Sequence, residues 1–505
     1  MSQRQLGAIL AYAQILLNIC IALGFTPVLV KALGSSGYGL YIIVGSFVAY
    51  LVILDLGMND AVIRHLLRFW SAGDNEAASR FLGSMLSTYS LVGVGVVVVA
   101  SGFFFAVPHI FSAKVSPQEL DLLKVMFAIA AGTTAFTVAF NPVGALISAR
   151  ERFVFLRLLE MAVTVASTLI VLILLRRGMG ALMAVAVSYG ALLTAVLIKF
   201  LYAQFVLKEK IRYAWFSRDA IAPVLRYAAP IFVAMLVEQI YWRLDNILIG
   251  AFLGTSAVAM YAIGVMFNKY FMSFATAISR VMVPELIRRV DAGAHASELT
   301  ELLVRVARTQ ATVLMLILTG LVIFGDEFIV LWLGPEYSHS YYVMLLALCP
   351  YALELMGNLR NILLQVKGLY WYRVSVFAAM ALINIPLTIV LLNVYGVVGA
   401  AAATGICILL GHFLILLILQ RQTGVRMLDY YEGLCRGLAL AIAACFLLGW
   451  LLDSVLPGGW SGLIAKGSAY TILYMAVLWQ YGMQPGERES LRAVAFAFRK
   501  KLDGR

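Results

Sequence analysis

The sequence predicts an all-α polytopic membrane protein with about 14 transmembrane helices. Of its 505 residues, 63% are hydrophobic and 13% are charged, against roughly a quarter charged in soluble domains. The mean hydropathy is +0.93. A soluble protein of this length needs more polar surface than this composition supplies, so the chain is expected to lie in a membrane.

Fourteen segments are apolar enough and long enough to cross a bilayer, which takes roughly 20 helical residues. Their apolar runs are continuous, whereas the strands of a membrane barrel alternate with period two, so helices are the expected form. The predicted spans are residues 6–31, 38–57, 81–106, 121–147, 154–175, 180–203, 227–252, 256–283, 306–325, 342–364, 373–393, 397–419, 433–452 and 463–482.

The distribution of Lys and Arg predicts the orientation of these spans. Cytoplasmic loops carry an excess of basic residues, and a cytoplasmic N-terminus places most of the basic residues of this chain inside. Both termini are then cytoplasmic, and the net charge of +12 needs no nucleic-acid partner to explain it. The basic residues of the outer segments are Lys31, Lys114, Arg176, Arg177 and Lys466.

Two segments of the chain are nearly the same. "LGSSGYGLY" (33–41) joins the first and second spans, and "LGTSAVAMY" (253–261) joins the seventh and eighth. The second copy follows the first by six spans, and an even number of spans keeps the direction of the chain. A second similarity links "SARERFVFLR" (148–157) with "QVKGLYWYR" (365–373). The two halves are therefore predicted to be parallel repeats, related by a pseudo-two-fold axis along the membrane normal.

This repeat predicts how the chain is divided. Each half forms a six-helix lobe, a charged cytoplasmic linker joins the two lobes, and two extra transmembrane helices follow the second lobe. The predicted domains are the N-terminal lobe (1–206), the linker (207–226), the C-terminal lobe (227–420), the two extra helices (421–482) and a basic cytoplasmic tail (483–505).

The motifs "LGSSGYGLY…LDLGMNDAVIRH" and "YWRLDNILIGAFLGTSAVAMYAIG…VMVPEL", in an arrangement of six, six and two spans, carry a family resemblance. Over nearly its whole length the chain resembles the polysaccharide-transport family, with its Wzx-type oligosaccharide flippases. That family belongs to the multidrug/oligosaccharidyl-lipid/polysaccharide flippase superfamily. The resemblance implies two six-helix lobes around a central cavity.

The resemblance also implies a function and a location. The chain would move undecaprenyl-diphosphate-linked oligosaccharide units from the inner to the outer leaflet of the bacterial inner (cytoplasmic) membrane. The units would serve the biosynthesis of a surface polysaccharide, which is an O-antigen (lipopolysaccharide), a capsule or an exopolysaccharide. Membrane lipid is an expected partner, and a polysaccharide polymerase and a chain-length regulator are candidate partners.

The seventh span contains an unusual polar segment, "EQIYWRLDN". A charged side chain near the bilayer centre costs roughly 2.5–3.5 kcal/mol on insertion scales, so these residues are expected to face a polar cavity rather than lipid. The alternative is an internal Arg–Glu or Arg–Asp pair that only holds helices together. At about 100° per residue, one helical face carries Glu238, Gln239, Trp242, Arg243, Asp245 and Asn246.

Spans eight and ten add polar residues at i, i+4, i+7 and i+11. We expect Arg243 and Lys269 to hold a diphosphate together, with Asn246 and Glu354 serving sugars or ion coupling. Arg280 has the alternative of reaching the cytoplasmic interface. The eighth-span stripe is Lys269, Ser273, Thr276 and Arg280, and the tenth-span stripe is Glu354, Asn358, Asn361 and Gln365. The expected substrate-binding residues are Arg243, Lys269, Asn246, Gln239, Trp242, Arg280, Glu354, Asn358 and Asn18, and the candidate coupling carboxylates are Glu238, Asp245 and Glu354.

Catalytic and cofactor motifs are missing from the sequence. It has no GxxxxGK[ST] loop, its five Cys have no metal-ligand spacing, and its five His are scattered, so we expect neither cofactor nor metal nor enzymatic activity. Two alternatives remain. A cation-coupled multidrug exporter of the sister family would use Glu238, Asp245 or Glu354 as ion sites. A membrane polysaccharide polymerase or glycosyltransferase is less favoured, because polymerases of this pathway usually carry a large outer loop and the outer loops here are short.

The predicted topology can be tested with reporter fusions. Fusions at Asp291 and Gln484 are expected to report a cytoplasmic location, and a fusion at Glu336 an external one, because the basic residues then concentrate inside. Paired phosphatase and fluorescent-protein reporters measure each site twice. An external result at Gln484 would contradict the even number of spans.

Overall fold

The protein is helical throughout the computed structural model, which describes residues 3–55, 57–209, 214 and 218–489. Within those residues no β-strand occurs, which confirms the all-α prediction. Residues 210–213 and 215–217 of the predicted linker and residues 490–505 of the predicted tail lie outside the described residues. The α-helices are α1 (Gln3–Val52), α2 (Asn59–Ser71), α3 (Asn75–Phe111), α4 (Pro117–Ala139), α5 (Asn141–Ala149), α6 (Phe153–Arg176), α7 (Ala181–Leu201), α8 (Arg218–Leu253), α9 (Thr255–Asp291), α10 (Ala296–Leu333), α11 (His339–Met356), α12 (Asn358–Val366), α13 (Tyr370–Thr423), α14 (Met427–Cys435), α15 (Leu438–Val455) and α16 (Trp460–Val477).

The number of continuous spanning helices differs from the predicted number of spans. In the described part of the chain, nine helices are long and apolar enough to cross a membrane, or ten if α11 and α12 count as one broken span. Two of the nine, Ile9–Ser71 and Tyr370–Thr423, each contain two predicted spans. The predicted spans 227–252 and 256–283 lie in α8 and α9, whose polar side chains lower their hydropathy.

Glycines with positive φ explain how one continuous helical segment holds two spans. Gly34 has φ 69° inside α1, and Gly396 has φ 61° inside α13, and each marks a kink between two helices. Residues with a Cβ rarely adopt this region, so glycine is required there. Gly254, between α8 and α9, has φ 90° and occupies the same place in the second motif copy as Gly34 in the first.

Further turns recur at nearly the same separation along the chain as the two motif copies. Gly73 and Gly293 have φ of 74° and 72°, and Gly178 matches Gly396 with φ 80°. Similar turn geometry at matching places supports the predicted internal repeat.

Spans four and ten, predicted as single helices over 121–147 and 342–364, are each broken at matching places. α4 ends before Phe140 and α5 follows it, and Pro142 lacks the amide hydrogen that a continuous helix needs. α11 and α12 flank Gly357 and are bent by 49°. Each of these two spans therefore consists of two helices rather than one.

The packing divides the chain into two compact units. The first contains Met1–Ala262 and Asn384–Ala400, and the second contains Ile263–Ile383 and Ala401–Arg505. In the first unit α1 packs against α4, α6 and α8, and α3 packs against α4. Aromatic rings fill its interior, where Phe47 lies 5.2–6.2 Å from three other phenylalanine rings. The predicted domain boundaries follow the sequence repeat rather than this packing and remain predictions.

In the second unit, α10 packs against α11 and against the C-terminal helices α14, α15 and α16. Arg308 of α10 is 1% exposed and anchors this arrangement. It pairs with Glu487 at 2.7 Å and satisfies carbonyl groups at the end of α14 and after α16, which helices leave without internal partners. Those carbonyl acceptors belong to Gly433, Leu434, Arg436 and Gly482, at 2.7–3.1 Å.

Replacing Arg308 by Ala is expected to destabilise the attachment of the C-terminal helices. The change leaves Glu487 and several carbonyl groups without their donor, at a cost of about 3–5 kcal/mol. Thermal unfolding of purified protein in detergent measures the effect. Arg305→Ala is the matched control, because Arg305 forms only an exposed pair with Glu301 at 3.7 Å. Equal melting temperatures for the two variants would contradict the anchoring role.

Candidate functional site

Two side chains of the polar segment of α8 are buried inside the first unit. Asp245 and Asn246 are 2% and 3% exposed. Asp245 accepts hydrogen bonds from the hydroxyls of Tyr261 at 2.5 Å and Thr388 at 3.4 Å. Asn246 donates to the Ser46 hydroxyl at 3.0 Å. Both side chains are therefore bound inside the unit, and Asp245 is a buried carboxylate surrounded by hydroxyl donors.

Arg243, on the same helix, is exposed. Neither Arg243 nor the exposed Glu238 forms an ion pair with any residue that the structure describes. The phenols of Tyr50 and Tyr189 lie within electrostatic range of the Arg243 guanidinium. The internal ion pair by which Arg243 would only hold helices together is therefore not formed among the described residues. The six residues predicted to share one helical face include both buried and exposed side chains.

Gln239 and Trp242 lie between these two groups. Both are half-buried. The Gln239 carbonyl accepts a hydrogen bond from Tyr50 at 3.3 Å, and the Trp242 ring packs edge-on against Tyr241 with centroids 5.4 Å apart. Tyr50 therefore links the backbone of α8 to the neighbourhood of Arg243.

The predicted stripe on α9 lies on an accessible face of the second unit. Lys269 and Arg280 are exposed, and Ser273 and Thr276 are half-buried. Over the described ranges of the chain, neither cation has an ion-pair partner. The opposite face of α9 is buried and includes Asn268. Since Arg243 belongs to the first unit, a site shared by Arg243 and Lys269 remains a prediction.

The predicted stripe on span ten is interrupted, because the helix breaks at Gly357. Glu354 is 6% exposed and binds His412 Nδ1 at 2.7 Å and Asn361 Nδ2 at 2.9 Å. Asn358 instead donates to Ser279 at 3.3 Å, and Gln365 is exposed. Both oxygens of Glu354 are therefore bound to protein groups, and its role in sugar binding or ion coupling remains a prediction.

Sequence reasoning missed the partners of Glu354. His412 was grouped with the scattered histidines, and Arg360 was not singled out, although both are buried in predicted spans. The signal was available, because an ionisable residue inside a span is expected to have a functional or paired role. Glu160 was also missed. It binds Gln14 at 3.2 Å, one helical turn before the half-buried Asn18.

The two motif copies contact each other within the first unit. Ser35 and Ser256 are joined by a hydroxyl hydrogen bond of 3.0 Å. Thr255 donates to Ser36 at 3.1 Å, and the Glu119 carboxylate accepts from both of these hydroxyls. A Cβ on Gly39 would lie only 1.8 Å from the Thr255 carbonyl oxygen, so the close approach of the two segments requires glycine. The topology predicts that this contact lies on the outer side of the membrane.

Comparisons with known proteins identify the class of this chain. Residues 28–342 match the family described as "Polysaccharide biosynthesis protein". The chain therefore belongs to this family, which confirms the resemblance to a polysaccharide-transport family seen in its motifs. It is 23% identical to the probable flippase AglR of Haloferax volcanii over 394 residues, which cover 77% of this chain and 78% of that protein.

Two solved structures share its fold. One is the lipid II flippase MurJ in an inward closed conformation, with a TM-score of 0.74 and 16% identity, covering 94% of this chain and 97% of that one. The other is an inward-facing multidrug resistance MATE family transporter, with a TM-score of 0.63 and 14% identity, covering 81% and 94%. The relative and both structures carry the names of flippases or transporters. The chain itself is a multi-pass membrane protein.

The contact between the motif copies can be tested by cross-linking. In a variant without the five native cysteines, all of which are free, Ser35→Cys with Ser256→Cys is expected to form a disulfide under mild oxidation, because the two hydroxyls are 3.0 Å apart. Loss of thiol labelling measures the bond. The matched control pairs Ser35→Cys with Ser71→Cys, which the topology places on the opposite side. Equal labelling of both pairs after oxidation would contradict the contact.

Proposed function

We propose that the protein is a flippase that moves undecaprenyl-diphosphate-linked oligosaccharide units from the inner to the outer leaflet of a bacterial cytoplasmic membrane. The observation that carries the proposal is the pair of exposed cations Arg243 and Lys269 within predicted spans, each without an ion-pair partner among the described residues. The proposal is also supported by the polysaccharide family to which the chain belongs and by its similarity to a lipid II flippase.

The two cations suit an anionic head group. An unpaired charge facing lipid is costly, so Arg243 and Lys269 are expected to face water or an anionic ligand. A diphosphate leaving bulk water needs charged donors, and Arg supplies a planar fork where Lys supplies a point charge. The phenols of Tyr50 and Tyr189 add donors and aromatic faces suited to sugars. The isoprenoid tail needs none of these groups and can stay in lipid.

The direction of loading follows from the contact between the motif copies. Because the topology predicts that Ser35, Ser256 and Glu119 lie on the outer side, their hydrogen bonds favour a state closed toward the outside. A substrate would therefore enter from the inner leaflet, and release would require these bonds to break. A polysaccharide polymerase and a chain-length regulator remain candidate partners downstream.

A cation-coupled multidrug exporter is the second candidate. The similarity to a MATE transporter and the buried carboxylate of Asp245 favour it. The charge of the cargo separates the two candidates, because the unpaired cations Arg243 and Lys269 would repel a cationic drug and attract a diphosphate. A polymerase is disfavoured by the family and by the short outer loops.

Replacing Arg243 or Lys269 by Ala is expected to reduce transport while the protein level stays normal. Each change removes a charge-assisted contact of about 1.5–3 kcal/mol, which corresponds to a roughly ten- to hundredfold loss. The measurements are surface polysaccharide and membrane protein level in the same cells, followed by flipping of a fluorescent lipid-linked oligosaccharide in vesicles.

Two controls make this experiment decisive. Lys124→Ala removes a span-end cation that already has a partner, Asp121 at 3.6 Å, and should leave transport unchanged. Arg243→Ala combined with Glu238→Ala tests the helix-glue alternative, in which Arg243→Ala alone loses folded protein and the double variant recovers it. Normal transport by both single variants, Arg243→Ala and Lys269→Ala, would refute the cationic site.

A further inference from the structure

The break in span ten brings together ionisable side chains from four helices of the second unit. α11 and α12 meet at Gly357 with a bend of 49°. Glu354 of α11, Arg360 of α12 and His412 of α13 are 6%, 2% and 3% exposed. Tyr431 of α14 is half-buried beside them. These groups take no part in the cationic site proposed above.

The hydrogen bonds of this cluster define the tautomer of a neutral His412. Nδ1 lies 2.7 Å from a Glu354 oxygen, and Nε2 lies 2.7 Å from the Tyr431 hydroxyl. A carboxylate only accepts, so Nδ1 carries the proton, and Nε2 then accepts from Tyr431. Asn361 donates to the other Glu354 oxygen at 2.9 Å, and Arg360 lies within electrostatic range of Tyr431. Each of these bonds pairs a donor with an acceptor.

A second proton on His412 reverses one of these bonds. An imidazolium donates from both nitrogens, so Nε2–H then points at the Tyr431 oxygen. The Tyr431 hydroxyl, which had donated to Nε2, has to turn toward another acceptor. The net charge of the cluster changes as well. The charges of Glu354 and Arg360 cancel each other when His412 is neutral, and the cluster carries one net positive charge when His412 is an imidazolium. Both changes occur beside the break at Gly357.

The groups that face His412 come from α10, α11, α12 and α14. Burial raises the pKa of Tyr430 to about 12 and also raises the pKa of Tyr431, so both phenols stay neutral in the physiological range. Arg308 of α10 reaches the end of α14 but is paired with Glu487. The charged and titratable groups around His412 are Glu354, Arg360, Tyr430, Tyr431, Cys435 and Arg308.

We propose that His412 is a proton-binding site and that its protonation, through the Tyr431 hydroxyl, changes the conformation of the break at Gly357. The proton would enter from the side of Tyr431, because Glu354 and His412 are buried and Tyr431 is partly accessible. The topology assigns that side to the cytoplasm. The inference goes beyond the proposed substrate and does not depend on it, since its ligand is the proton itself.

The proton site is tested on the purified full chain in lipid nanodiscs, labelled with ¹⁵N-histidine. The His412 resonance is the one missing from His412→Gln. We expect a neutral ring protonated on Nδ1 at high pH and an imidazolium at low pH, with a midpoint between about pH 5 and 8. Glu354→Gln is expected to change the pH at which the ring changes state, because it replaces the carboxylate that accepts from Nδ1. A neutral His412 throughout this range, or an unmoved midpoint, would overturn the proton site.

The link to the break is measured by hydrogen–deuterium exchange of residues 357–366, corrected for the intrinsic pH dependence of exchange. Exchange of the unmodified protein is expected to change with the His412 midpoint, and His412→Gln is expected to abolish the change. The matched control is His339→Gln, because His339 is an exposed histidine at the other end of α11. This variant should retain the pH-dependent change in exchange.

Tyr431→Phe separates proton binding from its conformational effect. It keeps the Glu354–His412 bond and removes only the hydroxyl. His412 should still titrate in this variant, while the exchange response of residues 357–366 is lost. A response that persists in Tyr431→Phe or in His412→Gln would overturn the link, and so would the absence of a response in the unmodified protein.

Discussion

The cost of a charge without a partner in hydrocarbon is the constraint on which the rest of this structure depends. Such a charge must be paired inside the protein or kept in contact with water. Arg308 is paired and almost fully buried, and so is Lys466, which contacts Glu327 and Asp453 at 2.8 Å each. Arg243 and Lys269 have no such partner among the described residues and are exposed. The same physical rule therefore separates the paired, buried cations from the two exposed ones for which a ligand is proposed.

The fold could be predicted from the sequence to the extent that hydropathy and repetition determine it. The continuous apolar runs predicted the helices. The two motif copies predicted the repeat, because a backbone position with positive φ requires glycine, and the sequence shows that glycine at Gly34 and again at Gly254. The breaks at Phe140 and Gly357 were not predicted. Transmembrane helices tolerate proline and glycine, so the presence of either residue does not by itself predict a break.

The candidate site could be predicted only in part, for a different reason. A helical wheel gives the directions of side chains but not the residues of other helices that they contact. It grouped Arg243 with Asp245, although Asp245 binds Tyr261 from another helix. It also could not find His412 as the partner of Glu354, because the two residues lie on α11 and α13 and only the tertiary fold brings them together. Lys466 shows the same limit, since it was counted as an outer-loop charge and is a buried ion-paired residue.

Stability alone does not account for the buried cluster around Glu354. Removing ions from water costs several kcal/mol each, and well-packed apolar residues of similar volume are often as stabilising as a buried ion pair. Arg360 even keeps one buried guanidinium nitrogen without a hydrogen bond. A chain selected only for packing would gain by replacing these groups with leucine or phenylalanine. Their presence beside a helix break is explained if the cluster has two states of different charge. Under the proposed function, a flippase that binds a diphosphate through exposed cations would need a separate step to release it. A change at the break that depends on the charge of this cluster would supply such a step.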